Sequence, residues 1–355
     1  MSKDSIVFEA YSALRRHPDW RDKRDCLLHR EIAATLGYAS ADVVRGMVRR
    51  ERARRKQQPA PMLTVVARPP KQTDADRWRD AQRDLEGRRF VTVAHLSDGH
   101  RPYQDDDALA LTYQCLEYIK PDLIVDLSDG FDFPEISHFT RDPDLSNADI
   151  LDTVRPLWWS HNDELDRAAP QAYRRAIGGN HDLRLWSFLA ESAPQVRSTV
   201  LNAFDEVVRA EGRVMFPDHM GEVHVGCVTV MHGDKSTLGV YGARKQLESR
   251  KYQRFIMAGH SHNPGWHHTR GIEYAVSSVV GGCLCDLNPH YLRNTSYSTW
   301  TQGFAYAVID MQARHAWLQQ VTFERHNGLL KTAIGSRMFA QEADNAAART
   351  RANAA

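Results

Sequence analysis

The alternation of apolar and polar positions divides the chain into two regimes. Through residues 5–56 the apolar positions recur at helical spacing. Ile32, Ala33 and Leu36 lead to Gly37, Ser40 stands where an N-cap belongs, and a second amphipathic run passes through Val43, Val44, Met47 and Val48. From Phe90 onward, short apolar runs alternate with longer helical ones. The runs "FVTVAHL" (90–96), "DLIVDL" (122–127), "VHVGCVTVM" (223–231) and "RFIMAG" (254–259) read as buried strands, each closing on a polar cluster. Strands alternating with helices predict a layered α/β fold with its chemistry at the strands' carboxyl ends. Between the regimes, "QQPAPMLTVVARPPKQTDAD" (57–76) reads as a linker with a strand-like "LTVVA" inside it, followed by a helix through "DRWRDAQRDLEGRR". The expected division is a helical domain over 1–56, a linker over 57–76, a large domain over 77–330 and a flexible tail over 331–355.

Charge changes the picture at the amino end. The net charge is only +1, yet residues 1–60 carry 14 Lys/Arg against 8 Asp/Glu and the rest 32 against 37. Two short helices joined by a Gly-containing turn, the second bearing Arg45, Arg49, Arg50 and Arg52, are similar to a helix-turn-helix. DNA is the expected partner, with those four arginines as its contacts; a solvated face of a helical hairpin is the other reading. No stretch approaches the ~18–20 apolar residues of a membrane span. Five scattered cysteines and the lack of a signal-peptide pattern predict reduced thiols and a cytoplasmic protein, with oligomeric state left open.

The polar clusters carry the chemistry. Asp98 and His100 follow the first run, Asp129 and Asp132 the second, and Asn180, His181 and Asp182 stand in "GGNHD". His232 follows "VTVM", and His260 and His262 follow "FIMAG". One histidine beside a strand is weak evidence; five such clusters are hard to ascribe to chance. Carboxylates, imidazoles and one amide oxygen suit Mn, Fe or Zn, and the imidazoles are too many for Mg or Ca. The donors outnumber what one ion needs, so two divalent ions are expected, Mn first, with Fe, Zn or Ni as alternatives.

The ordered set "DGH", "SDGFD", "GGNHD", "MHG" and "GHSH" resembles the five blocks of the calcineurin-like metallophosphoesterases, over roughly residues 88–310. That resemblance implies two packed mixed β-sheets flanked by helices, a four-layer α/β/β/α sandwich. It implies Asp98, His100 and His262 on one metal, Asn180, His232 and His260 on the other, and Asp129 bridging them. His181 matches the family's acid, which protonates the leaving oxygen while water activated between the ions attacks phosphorus, and Asp132 matches the carboxylate supporting it. Asp182 is a helix cap or a support. Ser128 replaces the family's glycine, and Phe133 replaces the arginine of its protein-phosphatase branch, which puts protein phosphatase activity in doubt; Arg184 is a candidate substitute. His267 and His268 in "WHHTR" are further candidates for substrate contact. Cys283 and Cys285 read as strand residues near the site, and Trp158 and Trp159 as core. The segment 279–310 is similar to the closing segment of phosphoesterases from bacteriophages and mobile elements, described as DNA repair exonucleases. The first expectation is a DNA nuclease or phosphodiesterase. The second is a phosphatase for nucleotides or phosphoproteins, and the third a DNA-binding regulator with a vestigial metal site.

Overall fold

The computed structural model describes residues 3–16, 25–57, 72–136, 150–218, 221–233, 241–249, 254–270, 275–289 and 299–342. Two compact units divide the chain, residues 1–71 and 72–355. The first holds three helices, α1 (Lys3–Arg16), α2 (Asp25–Leu36) and α3 (Ala41–Gln57). Val7, Tyr11, Leu28, Ile32, Ala33, Val44 and Val48 form its core. Gly37 takes a φ of 70° at the turn, and Ser40 Oγ accepts the Val43 N–H at 3.5 Å. Arg45, Arg49 and Arg50 are exposed, with Arg45 paired to Asp42 at 3.2 Å; the Arg52 side chain and the strand-like 63–67 lie outside what is described.

The second unit opens with α4 (Asp74–Glu86), started by a reciprocal capping box between Thr73 and Asp76. The chain then runs through β1 (Phe90–His95), α5 (Asp106–Ile119), β2 (Leu123–Leu127), α6 (Ile150–Ala168), β3 (Tyr173–Ile177), α7 (Arg184–Ser192) and α8 (Arg197–Arg209). A second group follows: β4 (Val223–Val225), β5 (Val228–Met231), α9 (Gly242–Ser249), β6 (Phe255–Ala258), β7 (Gly265–Arg270) and β8 (Ala275–Val280). The unit closes with β9 (Gly303–Asp310), β10 (His315–Thr322), β11 (Glu324–His326), β12 (Leu329–Ile334) and β13 (Arg337–Glu342). Among the described residues no helix is long and apolar enough to cross a membrane.

Two five-stranded mixed sheets form the frame, in orders β10-β9-β1-β2-β3 and β4-β5-β6-β8-β7. β1, β2 and β3 are parallel, as are β5, β6 and β8, so their carboxyl ends gather at one edge of each sheet. Strand pleating sends alternate residues to opposite faces. Val91, Val93, Leu123 and Val125 of one sheet accordingly share a core with Val228, Val230, Phe255 and Met257 of the other. The intervening residues Ala94 and Ile124 pack outward with Leu111 and Leu116 of α5 and Leu165 of α6. On the far side, Met231, Ile256, Ala258 and Val280 cover Ala243 of α9. The result is two mixed sheets face to face between helical layers.

Three readings of the pattern are corrected. "VHVGCVTVM" is a hairpin, because Gly226 at φ 57° turns the chain between β4 and β5. The boundary drawn at 330 falls inside β12. The residues after it, through 342, form a sheet that buries Leu330, Ile334 and Phe339 with α5, so this part of the expected tail is structured. Gln114 of α5 also bonds Gln341 at 2.9 Å. Cys283 and Cys285 stand past β8 and make only single bridges, to Gln302 and Gln104.

Candidate metal centre

The turns after the parallel strands are strained in a common way. Asp98, His100, Asp129, His260 and His262 all have positive φ, between 45° and 72°. A non-glycine residue there costs of order 1–3 kcal/mol, and such strain concentrates at functional sites. Here it turns five side chains out of the strand direction toward one another. Two glycines make room for them. A Cβ on Gly179 would collide with the Asp129 carboxylate, and one on Gly259 with Ser97 and the Asp98 carboxylate.

The gathered donors fall into two groups. In the first, His100 Nε2 and His262 Nε2 face one another at 3.0 Å, and Asp98 Oδ1 lies 3.2 Å from His262 Nε2. In the second, His232 Nε2 lies 3.1 Å from His260 Nδ1, 3.0 Å from Asn180 Oδ1 and 3.2 Å from Asp129 Oδ2. Imidazole lone pairs converging on one point with carboxylate oxygens repel unless a cation or proton lies among them. Asp98 with His100 and His262, and Asp129 with His232 and His260, each offer ligand atoms within 4.8 Å of one another. These are two sites fit for divalent ions. Asp98, His100, Asp129, His232 and His262 are buried, whereas Asn180 is exposed and His181 and His260 are half-buried, so solvent reaches the centre from the Asn180 side.

Supporting hydrogen bonds fix the donors. His100 Nδ1 bonds Asp132 Oδ1 at 3.0 Å, which leaves Nε2 as its ligand atom. His232 Nδ1 bonds Ser128 Oγ at 2.9 Å. Ser128 therefore orients the ring of His232, a candidate ligand. Ser128→Ala is expected to weaken metal binding about 10–100-fold, the usual cost of losing such a partner, measured by competition with a chelating dye.

Of the two readings of Asp182, the structure takes the support. Asp182 caps no helix: α7 begins after Leu183 without a side-chain cap. Buried Asp182 instead accepts the backbone N–H groups of Asp129 (2.9 Å), Gly179 (2.8 Å) and Phe131 (2.9 Å), clamping "GGNHD" to "SDGFD". Burial, together with the Asp129 charge, pushes its pKa up to about 7.

His181 sits beside the donors. Its Nδ1 bonds Asp132 Oδ1 at 2.6 Å, its Nε2 faces Arg184 Nη2 at 2.9 Å, and its backbone N–H donates to Asp129 Oδ1 at 2.7 Å. Arg184 also donates to the Asp132 carbonyl at 2.9 Å. Asp132 thus holds both His100 and His181. Although burial opposes ionisation of Asp132, hydrogen bonds from these two rings keep its carboxyl well below the ordinary range.

Electrostatics ties metal uptake to pH. Burial opposes the charge on His232, yet the Asp129 carboxylate outweighs it and raises the pKa to about 9. An ion taking Nε2 must displace that proton. Affinity should therefore climb with pH up to about 9 and then level off, with proton release read by calorimetry in buffers of different ionisation enthalpy. In the metal-free chain, stability from the raised His232 is fully present below its unfolded pKa near 6.5. It is lost as pH rises through about 9.

Some candidates lie elsewhere. His267 and His268 stand on the edge strand β7. Among the described residues neither side chain hydrogen-bonds to the centre, and exposed His268 stacks on Trp266 at 5.7 Å. Trp158 is buried core, and its Nε1 donates to the Val208 carbonyl. Sequence reasoning missed Trp300, whose ring meets that of His262 at 4.1 Å, and the buried Asp126, which bonds His161 Nε2 at 2.7 Å.

No family model matches this chain. Two curated relatives do, each described as "Gene 54 protein". That of Mycobacterium phage D29 is 22% identical over 231 residues, 61% of this chain and 89% of the relative. That of Mycobacterium phage L5 is 23% identical over 233 residues, 62% and 89%. Among solved structures, similarity is found to vacuolar protein sorting 29 from Cryptosporidium parvum, with TM-score 0.36 and 13% identity over 72% of this chain and all of that one. Similarity also extends to a predicted phosphoesterase from Streptococcus pneumoniae TIGR4, with TM-score 0.25 and 10% identity over 71% and 98%.

Proposed function

We propose that this chain is a dimetal-dependent phosphoester hydrolase acting on DNA as a nuclease or phosphodiesterase. The observation that carries the hydrolase reading is the pair of converging donor groups with His181, Asp132 and Arg184 alongside. Asp98, His100 and His262 would hold one ion and Asn180, His232 and His260 the other, with Asp129 contributing to both. Ions held there would supply Lewis acidity toward a phosphoryl oxygen and lower the pKa of water. Asn180 gives a neutral oxygen and leaves the positive charge of the centre undiminished. Asp132 fixes His181 through Nδ1, so Nε2 is the atom that hands a proton to the leaving oxygen. Arg184 guards Nε2 until a phosphate arrives. An anionic oxygen then draws the guanidinium more strongly than a neutral imidazole does, which frees Nε2 to take up a proton from solvent, and the resulting imidazolium passes that proton to the leaving oxygen.

The choice of DNA rests on the basic α3 with its exposed Arg45, Arg49 and Arg50, and on relatives encoded by bacteriophages. A basic module tethered to a hydrolase raises the local concentration of a polyanion. The deciding experiment offers the Mn-loaded chain labelled DNA, an aryl phosphate diester and an aryl phosphate monoester, with Zn, Fe and Ni in parallel. DNA and diester cleavage, with weakened and less salt-dependent DNA binding after deletion of residues 1–60, is expected. Hydrolysis of the monoester alone would move the reading to a phosphatase. Inertness toward all three would leave a DNA-binding regulator.

A further inference from the structure

Every ligand histidine but one whose second ring nitrogen is buried has that nitrogen engaged. Asp132 takes Nδ1 of His100, and Ser128 takes Nδ1 of His232. His262 differs: its Nδ1 is buried and has no hydrogen-bond partner among the described residues. A ligating imidazole ordinarily directs its second nitrogen at an acceptor, so this orphan marks something to be explained.

Close to the His262 ring lie the thiols of Cys283 and Cys285, both buried. Ligand atoms of His262, Cys283 and Cys285 all fall within 4.8 Å of one another. The loop bearing the cysteines is fixed at several points. Cys283 N–H donates to the Thr301 carbonyl at 3.0 Å, Leu284 N–H to the Asp98 carbonyl at 3.0 Å, and Gln302 Nε2 to the Cys285 carbonyl at 3.1 Å. Two sulfurs and one nitrogen, shielded from water, form a softer donor set than the mixed nitrogen and oxygen groups next to it. In tetrahedral zinc sites Zn–S is about 2.3 Å and Zn–N about 2.0 Å, so ligand atoms stand roughly 3.5–3.8 Å apart. Closing that difference takes rotation about the side-chain bonds of the two cysteines.

The geometry points to a third metal site, in which Cys283 Sγ, Cys285 Sγ and His262 Nδ1 take one thiophilic divalent cation of the Zn2+ or Cd2+ class. Binding displaces the two thiol protons to solvent, together with the Nδ1 proton when Nε2 already serves the neighbouring group. The His262 imidazole is then shared between a hard and a soft site.

The test needs no substrate, so it stands apart from the phosphoester reading. The full chain, preloaded with Mn2+, is titrated with Cd2+ while the ultraviolet thiolate-to-cadmium charge-transfer band is followed. Saturation at one Cd2+ per chain is expected, with the band lost in Cys283→Ser and in Cys285→Ser. A chain carrying Cys26→Ser, Cys115→Ser and Cys227→Ser together should keep it. Cadmium-113 NMR of the unmodified chain should give one resonance with the downfield shift of two thiolate ligands, which settles the matter even if a cysteine variant fails to fold. Absence of the band in the unmodified chain overturns the site. So does its persistence in both single variants, or its loss in the triple one.

Discussion

Replacing His181 by Asn is expected to lower turnover by roughly 10²–10⁴-fold, the usual weight of a positioned proton donor, while two metal ions per chain stay bound. The geometry makes this a sharp test. His181 Nδ1 is held by Asp132 at 2.6 Å, and an asparagine amide can keep that bond while offering no proton where Nε2 stood. A competing role is open to the same residue. His100, Asp132 and His181 themselves place ligand atoms within 4.8 Å of one another, so a His181 that bound an ion would lose it on substitution. Metal content by mass spectrometry separates the two, and a fall below two ions would sink the acid assignment.

Asp129→Asn should be at least as severe, with at most one ion retained and turnover down by roughly 10³-fold or more. Loss of several kcal/mol of charge stabilisation corresponds to that factor. Asp129 Oδ2 lies 3.2 Å from His232 Nε2, and Oδ1 accepts the His181 N–H at 2.7 Å. Burial opposes its ionisation, but His232 overrides that and holds the carboxyl below its usual range. Asparagine preserves the shape and the turn and removes only the charge. Without it the repulsion between two dications loses its principal offset. Equilibrium dialysis followed by a rate assay checks both parts, and a variant that keeps two ions at unchanged affinity would refute the assignment.

Much of this was legible in the chain. Apolar runs of strand length predicted β1, β2, β5 and β6, and the polar residues just beyond them contain the donors of both groups. What escaped depended on partners far away in sequence. "LIVDLSD" offers Asp126 and Asp129 alike, yet pleating sends Asp126 outward to His161 of α6 and the turn sends Asp129 to the centre. Asp182 looked like a cap because it precedes a helix; its partners are backbone groups some fifty residues earlier. Ser128 looked like a neutral exchange until His232, 104 residues on, proved to be its partner. The carboxyl-terminal strands read as part of a tail because the polar run "QEADNAAARTRANAA" follows them, and α5 supplies the surface that buries their apolar residues.

The sequence by itself determined which donors exist, in what order, and that each follows a buried strand. Local periodicity and ligand chemistry suffice for that. Only the tertiary structure decided which donors meet, because the packing of two sheets joins strand ends as distant as Asp98 and His262. It also decided where each side chain aims, since left-handed turns and hydrogen bonds from Ser128, Asp132 and Asp182 set those directions. Short-range pattern encodes the period of a strand; it carries no record of contacts closed across a hundred residues or more.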